Sequence, residues 1–486
     1  MFPMMTKSGD DFTQHMKQRP RRQRPLRSHR SRRVLVIGLD CATPQLVFDR
    51  FKDRLPNFSK LMDAGLYGPL RSTDPPITVP AWTSMMTSKD PGQLGFYGFR
   101  NRSDYSYDGM TFANSQLIKE PTVWDLLGQA GKRSILVGIP QTYPPKAIDG
   151  LSVADFLTPS KQSQWTYPDD FKDEVERVTG GYIIDVDNFR TDDKAGLLKQ
   201  VYEMTERRFK LAAHLIVNKP WDFFMMVEMG PDRMHHGFWR YFDKEHRLYE
   251  PGHPLEDAIA DYYVYLDERL GELLALVGDE TAVIVVSDHG AKGMAGGICV
   301  NDWLIREGYL VLKERPNAPT PLKSEMIDWS KTIAWGEGGY YSRIFMNVAG
   351  REPLGVVPAG DYAGVRAELK AKFEAITDEN GTNIGTKALF AEDIYRAIRN
   401  VPPDLIVYFG DLNWRSVGKV GNESMHVFAN DTGPDDANHD YHGIFIMAGA
   451  GAGAGRRDDL SIYDVAPTIL KLFGLEAPND MIGKER

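Results

Sequence analysis

Cysteine is almost missing from this chain: Cys41 and Cys299 are the two thiols in 486 residues. Two isolated thiols argue against a disulfide framework and suit a reducing compartment, so a cytoplasmic location is expected. Long apolar runs are missing as well. No stretch approaches the roughly 20 residues of a membrane span, so no membrane partner is expected. Net positive charge is also absent: the formal balance is −9, which gives the folded part no electrostatic hold on nucleic acid. Any phosphate site must then gather its cations locally, and metal ions are the obvious source. With 42% hydrophobic and 26% charged residues the chain has the profile of a globular protein, large enough for one big or two ordinary domains. No feature sets an oligomeric state.

Residues 1–33 differ from the rest. From 17 onward they are mostly Arg, Gln, Pro, Ser and His, which cannot bury enough apolar surface to fold, so a disordered basic arm is expected. Arg32-Arg33 ahead of Val34-Leu35-Val36-Ile37 imitates a twin-arginine signal. The run is short, ends in Gly38-Leu39-Asp40 and has no small-residue cleavage site, so it reads as a buried strand.

Short apolar runs at 34–39, 134–139, 222–227, 282–287, 405–409 and 444–447 read as strands buried on both faces of a largely parallel sheet. Helical periodicity alternates with them at 56–64, 122–130, 197–217, 259–276 and 461–473. The last opens on Ser461 and Asp464, a capping-box pattern, and stops at Gly474. The alternation predicts an α/β layered fold. Core segments are expected over 34–300 and 404–486. Between them the rhythm weakens over 301–403, where Pro316, Pro319 and Pro321 precede a charged helix near 362–373, and this stretch is expected to be an inserted cap.

Open α/β sheets bind ligands at the carboxyl ends of their strands. Those ends carry Asp40, then Asp232 with His236, then Asp288-His289-Gly290, while His439 and His442 precede the last core strand. Carboxylates and imidazoles at one sheet edge suit a divalent metal of the zinc type. Singly, each has a plainer reading: Asp40 as a turn cap, Asp232 and His236 as surface partners one helical turn apart, Cys41 as a small buried neighbour. Asp288 and His289 diverge at a strand end unless the chain turns there, and Gly290 would permit the turn. Thr78 lies two residues before Pro80, which is suited to open a helix over 80–88. It would sit just ahead of a helix N-terminus that favours phosphate. The plainer reading is that Thr78 only caps that helix.

Together these motifs resemble the type I phosphodiesterase and nucleotide pyrophosphatase family of the alkaline phosphatase superfamily. The carrying residues are Gly38-Leu39-Asp40, Thr78-Val79-Pro80-Ala81-Trp82 with Thr87 and Pro91, Pro231-Asp232 with His236, Ser287-Asp288-His289-Gly290, His439 ahead of Gly443-Ile444-Phe445, and Tyr463-Asp464-Val465-Ala466-Pro467-Thr468. The resemblance implies a three-layer sandwich with an inserted cap. It also implies a hydrolase of small-molecule phosphate esters, cleaving phosphodiester or pyrophosphate bonds, nucleotides among them, through a phosphothreonine on Thr78. Two divalent ions are implied, zinc first and manganese second. Asp40, Thr78, Asp288 and His289 would surround one ion, and Asp232, His236 and His439 the other. Thr83 is the rival hydroxyl, and His235 a candidate for substrate contact. The chain departs from the family at Ala81, where many nucleotide pyrophosphatases have an asparagine that contacts phosphate. Three carboxylates against two dications leave about +1, which favours a singly charged diester unless further cations enter. A phosphonate or phosphomonoester hydrolase of the same superfamily, or a metal-binding scaffold without catalysis, is the alternative reading.

Overall fold

Val-Leu-Val-Ile-Gly-Leu offers no side chain to water, and the strand Val34–Leu39 is buried along its whole length. In the computed structural model, which describes residues 33–449 and 452–486, this strand sits inside a ten-stranded sheet. The arm expected over 1–33 lies outside the described residues apart from Arg33. Phe223–Glu228 and Ala282–Val286 flank the strand in parallel. Ser134–Val137 and Gly150–Val153 continue the parallel run on one side. On the other, His442–Ala448 runs antiparallel and joins Leu66–Arg71. The sheet is therefore mixed but mostly parallel.

Register fixes the site. Leu39 pairs with Glu228 and Gly38 with Val286, so three neighbouring strands end at one level. Whatever follows those ends emerges at the same sheet edge.

The expected helices form as Pro56–Ala64, Val123–Gln129, Lys194–Asn218, Ala258–Leu274 and Val465–Leu472. Ser461 and Asp464 do make a capping box, and Gly474 takes the left-handed conformation (φ 72°) at the far end. Pro56–Ala64, Lys194–Asn218, Gly230–Phe242 and Ala258–Leu274 pack as one group, while Thr78–Thr87, Val123–Gln129 and Val465–Leu472 form a second. The sheet, whose central strands are buried on both faces, lies between them. That is a three-layer sandwich.

The strand expected over 405–409 forms as Leu405–Tyr408 but belongs elsewhere. It pairs antiparallel with Ser342–Met346 and Lys387–Leu389 in a second, four-stranded sheet that also holds Ala334–Glu337. A four-residue apolar run looks the same in either sheet, because its pattern records burial and not partners. This sheet, with helix Tyr362–Glu374, has its own core of Trp303, Trp335, Phe345, Phe373 and Phe409.

Candidate metal centre

Asp40, Asp232, His236, Asp288, His289 and His439 are all buried at the sheet edge, and Thr78 is buried beside them. Asp40 is held by Trp82, whose Nε1 donates to Oδ2 at 2.7 Å. Gly38 makes that contact possible, since a Cβ there would lie 2.5 Å from the Trp82 ring. Cys41 carries the turn after Asp40 (φ 65°) and is indeed a buried neighbour; its N–H donates to Asp288 Oδ1 at 3.2 Å. Asp40 Oδ1 and Asp288 Oδ2 have no hydrogen-bond partner. His289 donates from Nδ1 to the Gly290 carbonyl at 3.1 Å. Its Nε2 therefore faces inward, 3.2 Å from Asp288 Oδ2, 3.7 Å from Asp40 Oδ1 and 3.3 Å from Thr78 Oγ1. Gly290 does not provide a left-handed turn. Its lack of a side chain serves close approach, because a Cβ would sit 2.2 Å from the His442 carbonyl oxygen.

A second cluster adjoins the first. Asp232 lies in the first turn of Gly230–Phe242, and His236 one turn later brings Nε2 to 3.2 Å from Asp232 Oδ1. His439 Nε2 is 3.9 Å from the same oxygen and has no hydrogen-bond partner. The imidazoles are aimed from behind: Nδ1 of His439 donates to the Pro76 carbonyl at 2.9 Å, and Nδ1 of His236 meets Asp435 Oδ1 at 2.7 Å. Such backing fixes the ring and leaves Nε2 free as a ligand atom. The His289 and His439 rings stack at 3.8 Å and join the two clusters. One ligand atom each of Asp40, Asp288 and His289 lies within 4.8 Å of the others, and the same holds for Asp232, His289 and His439.

Burial, then repulsion from Asp232, pushes the Asp40 carboxyl well up; burial, then Asp40, does the same to Asp288. Burial lowers His289 to about 4 and holds His439 well below the usual range. Burial alone would raise Asp232, but His236 and Arg233 outweigh it and hold that carboxyl well down. His236 goes the other way: against its burial, Asp435 and Asp232 raise it to about 9. Three buried carboxylates facing one another, with two oxygens and an imidazole nitrogen unpartnered, are costly without a cation. The donor set of oxygen and imidazole nitrogen is the one zinc accepts. The residues fit a pair of divalent ions.

Thr78 is the first residue of the helix Thr78–Thr87 and not just ahead of it, so Pro80 is third. Ile77 occupies the cap position and no side chain caps the helix, which excludes the capping reading of Thr78. The Thr78 hydroxyl is directed at His289 instead. Thr83, the rival, donates to the Val79 carbonyl at 2.7 Å within its own helix. His442 is exposed at its strand end, and His235 bonds the Tyr263 hydroxyl at 3.1 Å on the core side.

Thr78, Asp232, His236 and His439 open into a cavity of about 390 Å³. Arg100, Arg190, Arg233, Arg343 and Arg415 also line it. The charge argument for a singly charged diester held only without further cations, so with these arginines on the cavity wall it does not decide the substrate. Sequence reasoning missed these arginines, and it missed Asp435 and Tyr340. Arg233 directly follows Asp232, which was a readable hint; Tyr340, whose ring lies 4.8 Å from His236 and 4.3 Å from His439, gave none.

Known proteins share the fold. No curated protein matches the sequence. Human ectonucleotide pyrophosphatase/phosphodiesterase 5 shares the fold at a TM-score of 0.54 and 14% identity, over 92% of this chain and 97% of that one. An inactive form of the murine protein, solved in complex with AMP, matches at 0.54 and 14%, over 92% and 96%. Phosphonoacetate hydrolase from Sinorhizobium meliloti 1021, solved with phosphonoacetate, matches at 0.59 and 15%, over 92% and 96%. The family model described as type I phosphodiesterase / nucleotide pyrophosphatase covers residues 34–441, and the chain belongs to that family of phosphoester hydrolases.

Proposed function

We propose that this protein is a metal-dependent hydrolase of phosphate esters that works through a phosphothreonine on Thr78. The observation that carries the reading is the convergence of Asp40 Oδ1, Asp288 Oδ2 and His439 Nε2, all buried and unpartnered, around His289 Nε2, which lies 3.3 Å from the Thr78 hydroxyl. Two divalent cations, zinc before manganese, held by Asp40, Asp288 and His289 with Thr78 and by Asp232, His236 and His439, would lower the pKa of the Thr78 hydroxyl and of water and neutralise phosphoryl charge. Thr78 Oγ1 attacks phosphorus, the bond to the leaving oxygen breaks, and the threonine proton passes to solvent. Water then attacks the phosphothreonine and restores the hydroxyl. The N–H groups of Thr78 and Val79 in the first turn of Thr78–Thr87 would be available to the phosphoryl oxygens.

A phosphodiester or pyrophosphate bond is the first substrate reading, nucleotides among the candidates. A phosphomonoester or phosphonate is the second, favoured by the guanidinium groups lining the cavity, of which Arg343 has no carboxylate partner among the described residues. Rates on bis-p-nitrophenyl phosphate and p-nitrophenyl phosphate, each with and without chelator, decide between them. Activity on either ester that survives exhaustive chelation would overturn the metal-dependent reading.

A further inference from the structure

Of the five arginines around the cavity, four have a carboxylate partner. Arg233 grips Asp185 through Nε at 3.0 Å and through its terminal nitrogen at 2.6 Å. Arg190 meets Asp435 at 2.9 Å, Arg415 meets Asp431 at 3.2 Å and Arg100 meets Glu337 at 3.2 Å. Arg343 has no carboxylate within ion-pair distance among the described residues, although only 7% of it is exposed. Among the described residues its one side-chain hydrogen bond runs to the Arg100 carbonyl.

Glu337 stands directly opposite Arg343 in the antiparallel ladder, yet its carboxylate is turned to Arg100. The guanidinium lies against the backbone of Gly98, where a Cβ would come 3.5 Å from its terminal nitrogen. A buried cation with this little compensation is costly unless an anion reaches it. The open side from which one can arrive is the cavity that Thr78 also lines.

We infer that Arg343 is a specificity-determining residue that binds a second anionic group of the substrate, a carboxylate or a phosphate, apart from the phosphoryl group attacked by Thr78. This rests on the hydrolase reading above. The planar guanidinium fork suits either oxyanion bidentately, which a lysine would not match. It lies in the strand Ser342–Met346, so the second sheet holds the anion-binding group while the helix Thr78–Thr87 supplies the reacting one.

The test uses three p-nitrophenyl phosphodiesters that differ only in the non-leaving arm: propyl, 2-carboxyethyl and 2-phosphonoethyl. The full-length metal-loaded protein should favour at least one anionic arm over propyl by about tenfold or more in kcat/KM. Arg343→Gln should bring that ratio close to one, and Arg343→Lys should recover part of it. Which arm gains more separates carboxylate from phosphate recognition. Calorimetric binding of the same esters to Thr78→Ala protein, with and without Arg343→Gln, reads the preference without turnover. No preference for either anionic arm in rate or in binding, or a preference that survives Arg343→Gln in folded protein, overturns the inference. Absence of hydrolysis with the binding preference intact would instead count against the hydrolase reading alone.

Discussion

Asp435 Oδ1 lies 2.7 Å from Nδ1 of His236, on the side of the ring away from Asp232. The carboxylate is fully buried and is itself held by Arg190 and by the Tyr340 hydroxyl at 3.0 Å. It orients the imidazole and raises its basicity, and such backing groups are worth roughly 10–100-fold in metal affinity. Asp435→Ala should weaken zinc binding by that factor, measured by competition with a chromophoric chelator. Unchanged affinity in this variant would remove Asp435 from the metal site.

Thr78→Ala should lower turnover of a phosphoester substrate by at least about a thousandfold, as loss of a nucleophile does. The helix is unaffected in principle, because its cap is Ile77 and no Thr78 side-chain bond supports it. Metal content after purification should stay near that of the unaltered protein. Thr78→Ser, which keeps the hydroxyl, should retain measurable activity. Equal rates for Thr78→Ala and the parent would sink the assignment.

How much of this could be read from the sequence follows from what local pattern records. The strand Val34–Leu39 and the helix Pro56–Ala64 carry their own periodicity and form where expected. Asp40, Asp232 and Asp288 were placed by the rule that parallel strands present ligand groups at their carboxyl ends, and register brings them to one edge. Leu405–Tyr408 was assigned to the wrong sheet because an apolar tetrapeptide does not name its partners. Asp435, Tyr340 and Arg343 were not visible, since a residue's value behind a ligand depends on contacts 95 or more residues apart in the chain, as between Tyr340 and Asp435. Thr78 lay two residues from a proline that suggested the helix start, whereas the helix begins at Thr78 itself.

Zinc binding should release protons at neutral pH. His236 sits at about 9 without metal, so near pH 7 it is protonated and must lose that proton to ligate through Nε2. Apparent affinity should therefore climb as pH rises toward about 9. Calorimetry at pH 7 in buffers of different ionisation enthalpy measures the protons directly. A binding enthalpy independent of buffer would contradict this account.

Removing the metal should make stability fall with pH above neutrality. His236 has a folded value of about 9, above the roughly 6.5 of an unfolded histidine. The native state therefore binds more protons in that window, and the stability this contributes is complete below about 6.5 and lost as pH rises through about 9. Burial lowers His289 and His439, which makes them neutral in both states above neutrality, so they do not oppose the trend there. Metal-free protein should melt lower at pH 9 than at pH 7. With zinc at a thousandfold excess over its Kd, the folded state should gain about 4 kcal/mol, and the loss between pH 7 and pH 9 should shrink because the ligated imidazole is already neutral. Thermal melts at the two pH values, with and without chelator, measure both effects. A metal-free melting temperature that rises from pH 7 to pH 9 would show that Asp232 and Asp435 do not hold a proton on His236.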